Sequence, residues 1–335
     1  MKYRLPAEWE PQSAVQLTFP HMDTDWADVM DQVVPCFVEI AETISRFQKV
    51  LVVCKDLDAT RALLSRIPDD RLVLVECDSN DTWARDHGGI TVEDLDQNGA
   101  KRILDFVFNG WGLKFPANKD NLITGVLHKK GVLKGTLLPG GLALEGGAIE
   151  SNGAGVLMTT TECMLSPNRN PHLSQDALGS LLEVLFGVQR IIWLHHGYLA
   201  GDDTDSHIDT LARFCTPDTI AYVKCTDPSD EHFEALQRME AELQQEKDMK
   251  LVALPWPDAC YDDEGQRLPA TYANFLIING AVLVPTYQVP QDEAALVILK
   301  TIFPAHEIIG INCRPLILQH GSLHCVTMQY PLGVV

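Results

Sequence analysis

Leu72-Val-Leu-Val-Glu-Cys-Asp-Ser-Asn-Asp-Thr-Trp-Ala-Arg-Asp-His-Gly-Gly89 joins two kinds of sequence that seldom meet. Leu72 to Val75 is a short apolar run of the sort that forms a buried strand. It leads straight into a turn holding an indole, a guanidinium, a carboxylate and an imidazole, closed by two glycines. The unit in front of it reads strand, helix, strand: Ala14 to Phe19 and Val50 to Cys54 as strands, with a helix from Val29 to Phe47 whose Val33, Phe37, Ile40, Ile44 and Phe47 recur at helical spacing. A short helix around Ala59 to Ser65 precedes the closing strand.

The same order recurs along the chain. Arg102 to Phe108, a helix from Lys119 to His128 and Thr136 to Leu138 lead into Leu144-Glu-Gly-Gly-Ala148. Val156 to Thr160, a helix from Asp176 to Phe186 and Arg190 to Leu194 lead into Gly201-Asp-Asp-Thr-Asp-Ser-His-Ile-Asp209. The strand beginning at Ile220, a charged helix from Glu231 to Glu246 and Leu251 to Leu254 lead to Thr271-Tyr-Ala-Asn-Phe275. Ala281 to Pro285, a helix from Asp292 to Phe303 and Glu307 to Ile311 end at His320-Gly-Ser-Leu-His-Cys325. Two α/β architectures fit this order. One is a closed ring of five small blades; the other is a doubly wound sheet, which needs no repeat. The ring explains why the least usual polar residues each follow a closing strand, since equivalent turns would then converge on one axial pocket.

Composition narrows the function. The chain has 335 residues, 46 % of them apolar, and a formal net charge of −20. That length buries a sizeable core, and no domain boundary is visible, so residues 1–335 read as a single domain. The negative charge would repel phosphate backbones and anionic lipid, which predicts no nucleic-acid or membrane partner. No segment approaches the roughly 20 apolar residues of a membrane span, and the N-terminal stretch lacks a signal-peptide core, which predicts a cytoplasmic protein. The nine cysteines are irregularly spaced without Cys-x-x-Cys and read as reduced thiols. Glycine pairs at 140–141 and 146–147 make neither a dinucleotide fingerprint nor a phosphate loop, and no His-Glu-x-x-His is present, so neither an organic cofactor nor a catalytic metal is expected.

The chemistry-bearing residues lie in the turns. Cys325, after Gly321 and beside His324, reads either as a core thiol or as a nucleophile, the latter needing an environment that favours thiolate. His207 and Asp209, two apart on an extended segment, face the same way and suit a general acid/base beside a group that grips a cation; a metal pair or a plain surface loop fits the same residues. Trp83 and Asp86 could stack on and pair with a planar cation, or Asp86 could pair with Arg85. Glu145 sits beside glycines that allow close backbone approach, either to orient a histidine or to fill a turn.

Taken together these stretches resemble the agmatine deiminase family, within the guanidine-modifying enzymes that include bacterial peptidylarginine deiminases. The likeness runs from Pro6-Ala-Glu-Trp-Glu-Pro11 through the turns at Asp86, Glu145 and His207, adds Thr159 to Pro171, and closes at Gly321 to Gln329. It implies a five-bladed α/β propeller. It also implies Cys325 as nucleophile, His207 as general acid/base oriented by Glu145, Asp86 and Asp209 gripping a guanidinium, Trp83 walling the pocket, and Asp203 holding the far end of the substrate. The implied reaction turns agmatine and water into N-carbamoylputrescine and ammonia, a polyamine and putrescine step, through an amidino-cysteine, with no metal or cofactor. Peptidylarginine or another guanidine is the alternative substrate; a metal-dependent amidohydrolase and a non-catalytic binding protein are the alternatives of other classes. Homo-oligomers are left open. Two departures from the family, Phe19 in place of tryptophan and Glu150 in place of histidine, are expected to touch the pocket rim at most.

Overall fold

The computed structural model describes residues 2–335; Met1, the first residue of the expected single domain, lies outside the described residues. Five sheets share one plan. In each, a short strand pairs antiparallel with a second, which pairs parallel with a third reached through a helix. The first sheet joins both ends of the chain: Thr327–Pro331 runs antiparallel to Gln12–Thr18, followed by parallel Lys49–Cys54 and Leu72–Glu76. The second sets Ile90–Asp94 against Ala100–Val107 and adds parallel Thr136–Ala143, with Tyr3–Arg4 on its outer edge. The others are Ile149–Ser151, Val156–Thr160 and Arg190–Leu194; Ala212–Thr216, Thr219–Val223 and Lys250–Leu254; and Leu276–Ile278, Ala281–Thr286 and Glu307–Asn312.

Local chemistry accounts for the crossovers. Met30–Ser45 buries Val33, Cys36, Phe37, Ile40, Ala41 and Ile44 along one face, the stripe that spacing predicts, and starts after a 3-10 turn at Ala27–Val29. Gln175–Phe186 is bounded as its caps dictate: the Ser174 hydroxyl accepts from the Ala177 N–H, and Gly187 takes the left-handed conformation that ends the helix. Lys49–Cys54 is buried from its second residue onward because parallel strands are covered on both faces.

Four short strands escape sequence reading: Ile90–Asp94, Ile149–Ser151, Ala212–Thr216 and Leu276–Ile278. Each directly follows a polar turn and is buried on nearly every residue, so it shows no alternation. These strands position the site, because they hold the polar turns at the inner ends of their sheets. A separate hairpin, Cys260–Tyr261 with Arg267–Leu268, carries the acidic loop at 262–265. This loop does not rim the site. The Arg267 carbonyl instead backs Gly201, where φ is +83° and a Cβ would approach that oxygen to 2.5 Å. Among the described residues no helix is long and apolar enough to cross a membrane.

Leu17 is fully buried in Gln12–Thr18, the strand on which the C-terminal strand closes the first sheet, whereas Val297 is 57 % exposed on a helix. Leu17→Ala is expected to cost about 2–5 kcal/mol in urea unfolding, and Val297→Ala within about 0.5 kcal/mol; equal costs would show that closure does not depend on this packing.

Candidate active site

The turns that end the sheets enclose a cavity of about 300 Å³, lined among others by Asp81, Trp83, Asp86, Trp111, Asp203 and Cys325. Its apolar wall is a set of indoles. Trp26 and Trp83 lie 5.6 Å apart and Trp83 and Trp111 6.3 Å, the latter edge to face. Asp81 fixes two of them, accepting from Trp26 Nε1 at 2.7 Å and Trp83 Nε1 at 3.1 Å, while burial lifts its carboxyl to about 7. Gly321 lies flat on Trp83, so any side chain there would enter the ring.

Cys325 is 6 % exposed and its Sγ stands 3.4 Å from Asn274 Oδ1, which also accepts from the backbone N–H of His324 at 2.8 Å. Burial, then the nearby charges of Asp209 and Asp86, hold this thiol well above the usual range, which favours the protonated form. Asp86 accepts from Trp111 Nε1 at 2.9 Å and from the Gly147 N–H at 3.1 Å. Burial, and next Asp209, push its carboxyl up.

His207 Nδ1 is 3.7 Å from Asp86 Oδ1, and Nε2 is 3.9 Å from Glu145 Oε2. Nε2 is buried without a hydrogen-bond partner. Burial drops this imidazole to about 3, leaving it neutral. Glu145 is itself gripped by Arg169, whose Nε lies 3.0 and 2.9 Å from its two oxygens. Asp209 Oδ2 meets His324 Nδ1 at 2.7 Å, and Oδ1 is buried and unpartnered. Gly147 makes this density feasible: a Cβ there would sit 2.5 Å from His207 Nδ1, 2.9 Å from Asp86 Oδ1 and 3.2 Å from Asp209 Oδ2.

The structure gathers the seven residues expected from sequence around one cavity. Cys325, Asp86, Trp83 and Asp203 line it, and His207, Glu145 and Asp209 form a buried layer beside it. Asp203 is the exposed member, and Lys114 Nζ donates to its backbone carbonyl and to Asp205 Oδ1, both at 2.6 Å. The Glu145–His207 contact is longer than a hydrogen bond, so Glu145 answers first to Arg169. Neither family departure lines the cavity: Phe19 packs edge-on against Phe37, and Glu150 pairs with buried Arg213.

Sequence reasoning missed Asn274, Trp111, Arg169 and Lys114. Asn274 occupies in the fourth module the place that Asp86, Glu145 and Cys325 hold in theirs, and that equivalence was the available signal. Among the described residues two groups of three side chains come close enough to share a metal ion, Glu145 with Cys163 and His207, and Glu8 with Glu150 and His324. In each group the carboxylates already face guanidiniums, and Cys163 is pushed well above the usual thiol range by burial. Neither group offers a good cation site.

Five like sheets whose inner turns join a buried thiol to acids and indoles define an α/β enzyme of the deiminase kind. The chain belongs to the Porphyromonas-type peptidyl-arginine deiminase family, whose model matches residues 4–331. It is 32 % identical to an agmatine deiminase of Stutzerimonas stutzeri, with 99 % of this chain and 96 % of the relative covered. Among solved structures, a Cys-to-Ser variant of C. jejuni agmatine deiminase with substrate bound is 38 % identical, superposes with a TM-score of 0.94, and is matched over 99 % of this chain and 97 % of its own. A candidate arginine deiminase from Porphyromonas gingivalis is 52 % identical over the whole of both chains, with a TM-score of 0.93.

The raised Cys325 thiol gives a direct check. Iodoacetamide should modify Cys325 in the folded protein at least about tenfold more slowly at neutral pH than in the urea-unfolded chain, with the rate climbing as pH rises past 9. Fast, pH-independent modification, followed by peptide mass spectrometry, would contradict the thiol state.

Proposed function

We propose that this enzyme hydrolyses agmatine to N-carbamoylputrescine and ammonia, with Cys325 as nucleophile and His207 as the proton carrier. The observation that carries the reading is the cavity itself, where the buried Cys325 thiol and Asp86 meet beneath the indoles of Trp83 and Trp111, with the neutral His207 imidazole and Asp209 in the buried layer beside it. A guanidinium between Asp86 and Asp209 would supply the positive charge that both raised groups lack, drawing Asp86 and the Cys325 thiol toward their ionised forms. The names of the relatives, one a substrate-bound agmatine deiminase changed from Cys to Ser, support the same reaction.

Protons and bonds balance without a cofactor. Neutral His207 takes the thiol proton, and Cys325 Sγ attacks the guanidinium carbon held between the carboxylates. The imidazolium returns that proton to the departing nitrogen, which leaves as ammonia, and a planar amidino-cysteine remains. His207 then takes a proton from water as the water adds to the same carbon. Collapse of this adduct expels the thiolate, which takes up the adduct's hydroxyl proton as the ureido carbonyl forms, and His207 gives the proton it took from water to solvent, where the released ammonia becomes ammonium. Glu145, fixed by Arg169, sets the field around His207, and Trp83 covers one face of the bound group.

Agmatine is favoured over free arginine by the charges at the mouth. Asp25, Asp202 and Asp203 line it, and its one lysine, Lys114, is committed to Asp205. An amine-ended chain is thus met by acids and an α-carboxylate by no free cation. The shared antiparallel-then-parallel plan of the five sheets supports a five-bladed α/β propeller forming one domain over 1–335. The cysteines, all free among the described residues, suit a reducing compartment such as the cytoplasm.

Incubated with agmatine, arginine and an arginine peptide, the protein is expected to convert agmatine fastest, read by mass spectrometry of each product. Cys325→Ala should lower that rate at least about a thousandfold; undiminished conversion by this variant rules out the mechanism, and preferential conversion of the peptide rules out the substrate. Gly147→Ala, which drives a methyl between His207, Asp86 and Asp209, should cost at least about a hundredfold in kcat/KM while the protein remains folded. Wild-type kcat/KM from Gly147→Ala would mean that the packing around residue 147 is irrelevant to chemistry.

A further inference from the structure

Behind the cavity lies a buried charged cluster of which the proposed chemistry uses only Asp209. His324 is its hinge. Its Nδ1 is 2.7 Å from Asp209 Oδ2 and its Nε2 is 2.7 Å from Glu8 Oε2, with the ring 1 % exposed. Glu8 is anchored independently: Arg213 reaches Oε2 at 2.8 Å and the Ile277 N–H reaches Oε1 at 2.7 Å. Arg213 in turn pairs with Glu150 and donates to the carbonyls of Phe275 and Ala273. Arg85 stands 3.9 Å from Glu8 and completes the set of charges around the ring.

Two short contacts between one imidazole and two carboxylates require two protons among the three groups. Their joint charge is then −1 whichever atoms hold them. Arg213, 2.8 Å from Glu8, and Arg85, 3.9 Å from it, supply the opposite charge that this buried set needs. The geometry is also one-sided. Glu8 keeps Arg213 and a backbone N–H without His324, whereas Asp209 Oδ2 has His324 as its side-chain partner and Oδ1 is bare.

We propose that His324 is a positioning residue for Asp209: by taking Oδ2 it turns the bare Oδ1 toward the guanidinium site and ties that oxygen, through Glu8 and Arg213, to the fixed frame of the protein. This rests on Asp209 gripping the guanidinium, the reading proposed above. Adjacent Cys325 and His324 thus serve two sides of one strand entrance, the thiol on the cavity and the imidazole on the layer behind it. A disturbance at His324 reaches the substrate through Asp209 and not through the nucleophile.

Two substitutions separate positioning from mere support, because the Asn amide nitrogen overlays Nδ1 of histidine and the Gln amide nitrogen overlays Nε2. His324→Asn keeps a donor for Asp209, and His324→Gln keeps one only for Glu8. In a Cys325→Ser background, agmatine binding by calorimetry is expected to weaken roughly 10- to 100-fold in the Gln variant, the worth of a charge-assisted hydrogen bond, and only a few-fold in the Asn variant. With the thiol restored, the same difference should appear in KM more than in kcat. Equal losses in the two variants, or none in either, would overturn the proposal. Failure of agmatine to bind the Cys325→Ser protein at all would count against the substrate reading instead. Crystal structures of both variants then decide the clamp without substrate: it stands if Asp209 keeps its place in His324→Asn and swings in His324→Gln, and falls if Asp209 is unmoved in both.

Discussion

Asp86, Asp209 and the His207 imidazole crowd the space beside Gly147, with Glu145 3.9 Å from that imidazole, and the rest of the molecule is arranged to make that crowding tolerable. Like charges this close and this buried repel one another strongly, and burial alone penalises each ionised form. Each acid is therefore given its own partners: Glu145 has Arg169, Asp209 has His324, and Asp86 has the Trp111 N–H and the Gly147 amide. His207 Nε2 and Asp209 Oδ1 stay buried without partners, which suits the proposed grip on a cationic substrate.

The five sheets make such a site affordable to fold. Each brings a turn to the interior on a short strand that is buried on both faces and cannot slide, and the first sheet locks the last strand of the chain beside its second. Asp86, Glu145, Asp209, Asn274 and Cys325 come from five different turns, so the site exists only when all five sheets are in place. The N-terminal segment contributes as well, since Glu8 anchors the far end of the cluster that steadies Asp209.

Much of this was legible in the sequence because the crossover helices carry clear spacing and the parallel strands are continuous apolar runs. Val156–Thr160 and Arg190–Leu194 fall where the sequence puts them, and Gln175–Phe186 begins one residue early because Ser174 caps it. The antiparallel strands were not legible, since burial on both faces erases their alternation. Of the site, Cys325, His207 and the acids stand out as polar residues beside glycines. Asn274 and Arg169 do not, because their value lies in contacts across long sequence separations. The role of His324 was hidden for the same reason: next to Cys325 it looks like the thiol's proton partner, yet its ring turns away to Asp209 and Glu8.

The account centres on a covalent bond between Cys325 and the guanidinium carbon. Rapid acid quenching of the enzyme during turnover of agmatine, followed by intact-protein mass spectrometry and peptide mapping, tests it most directly. The account predicts a protein species heavier by the mass of agmatine less that of ammonia, with the added group on Cys325 and absent from Cys325→Ser. Steady turnover with only unmodified protein at every quench time, and product oxygen drawn from water in a single uninterrupted step, would contradict it.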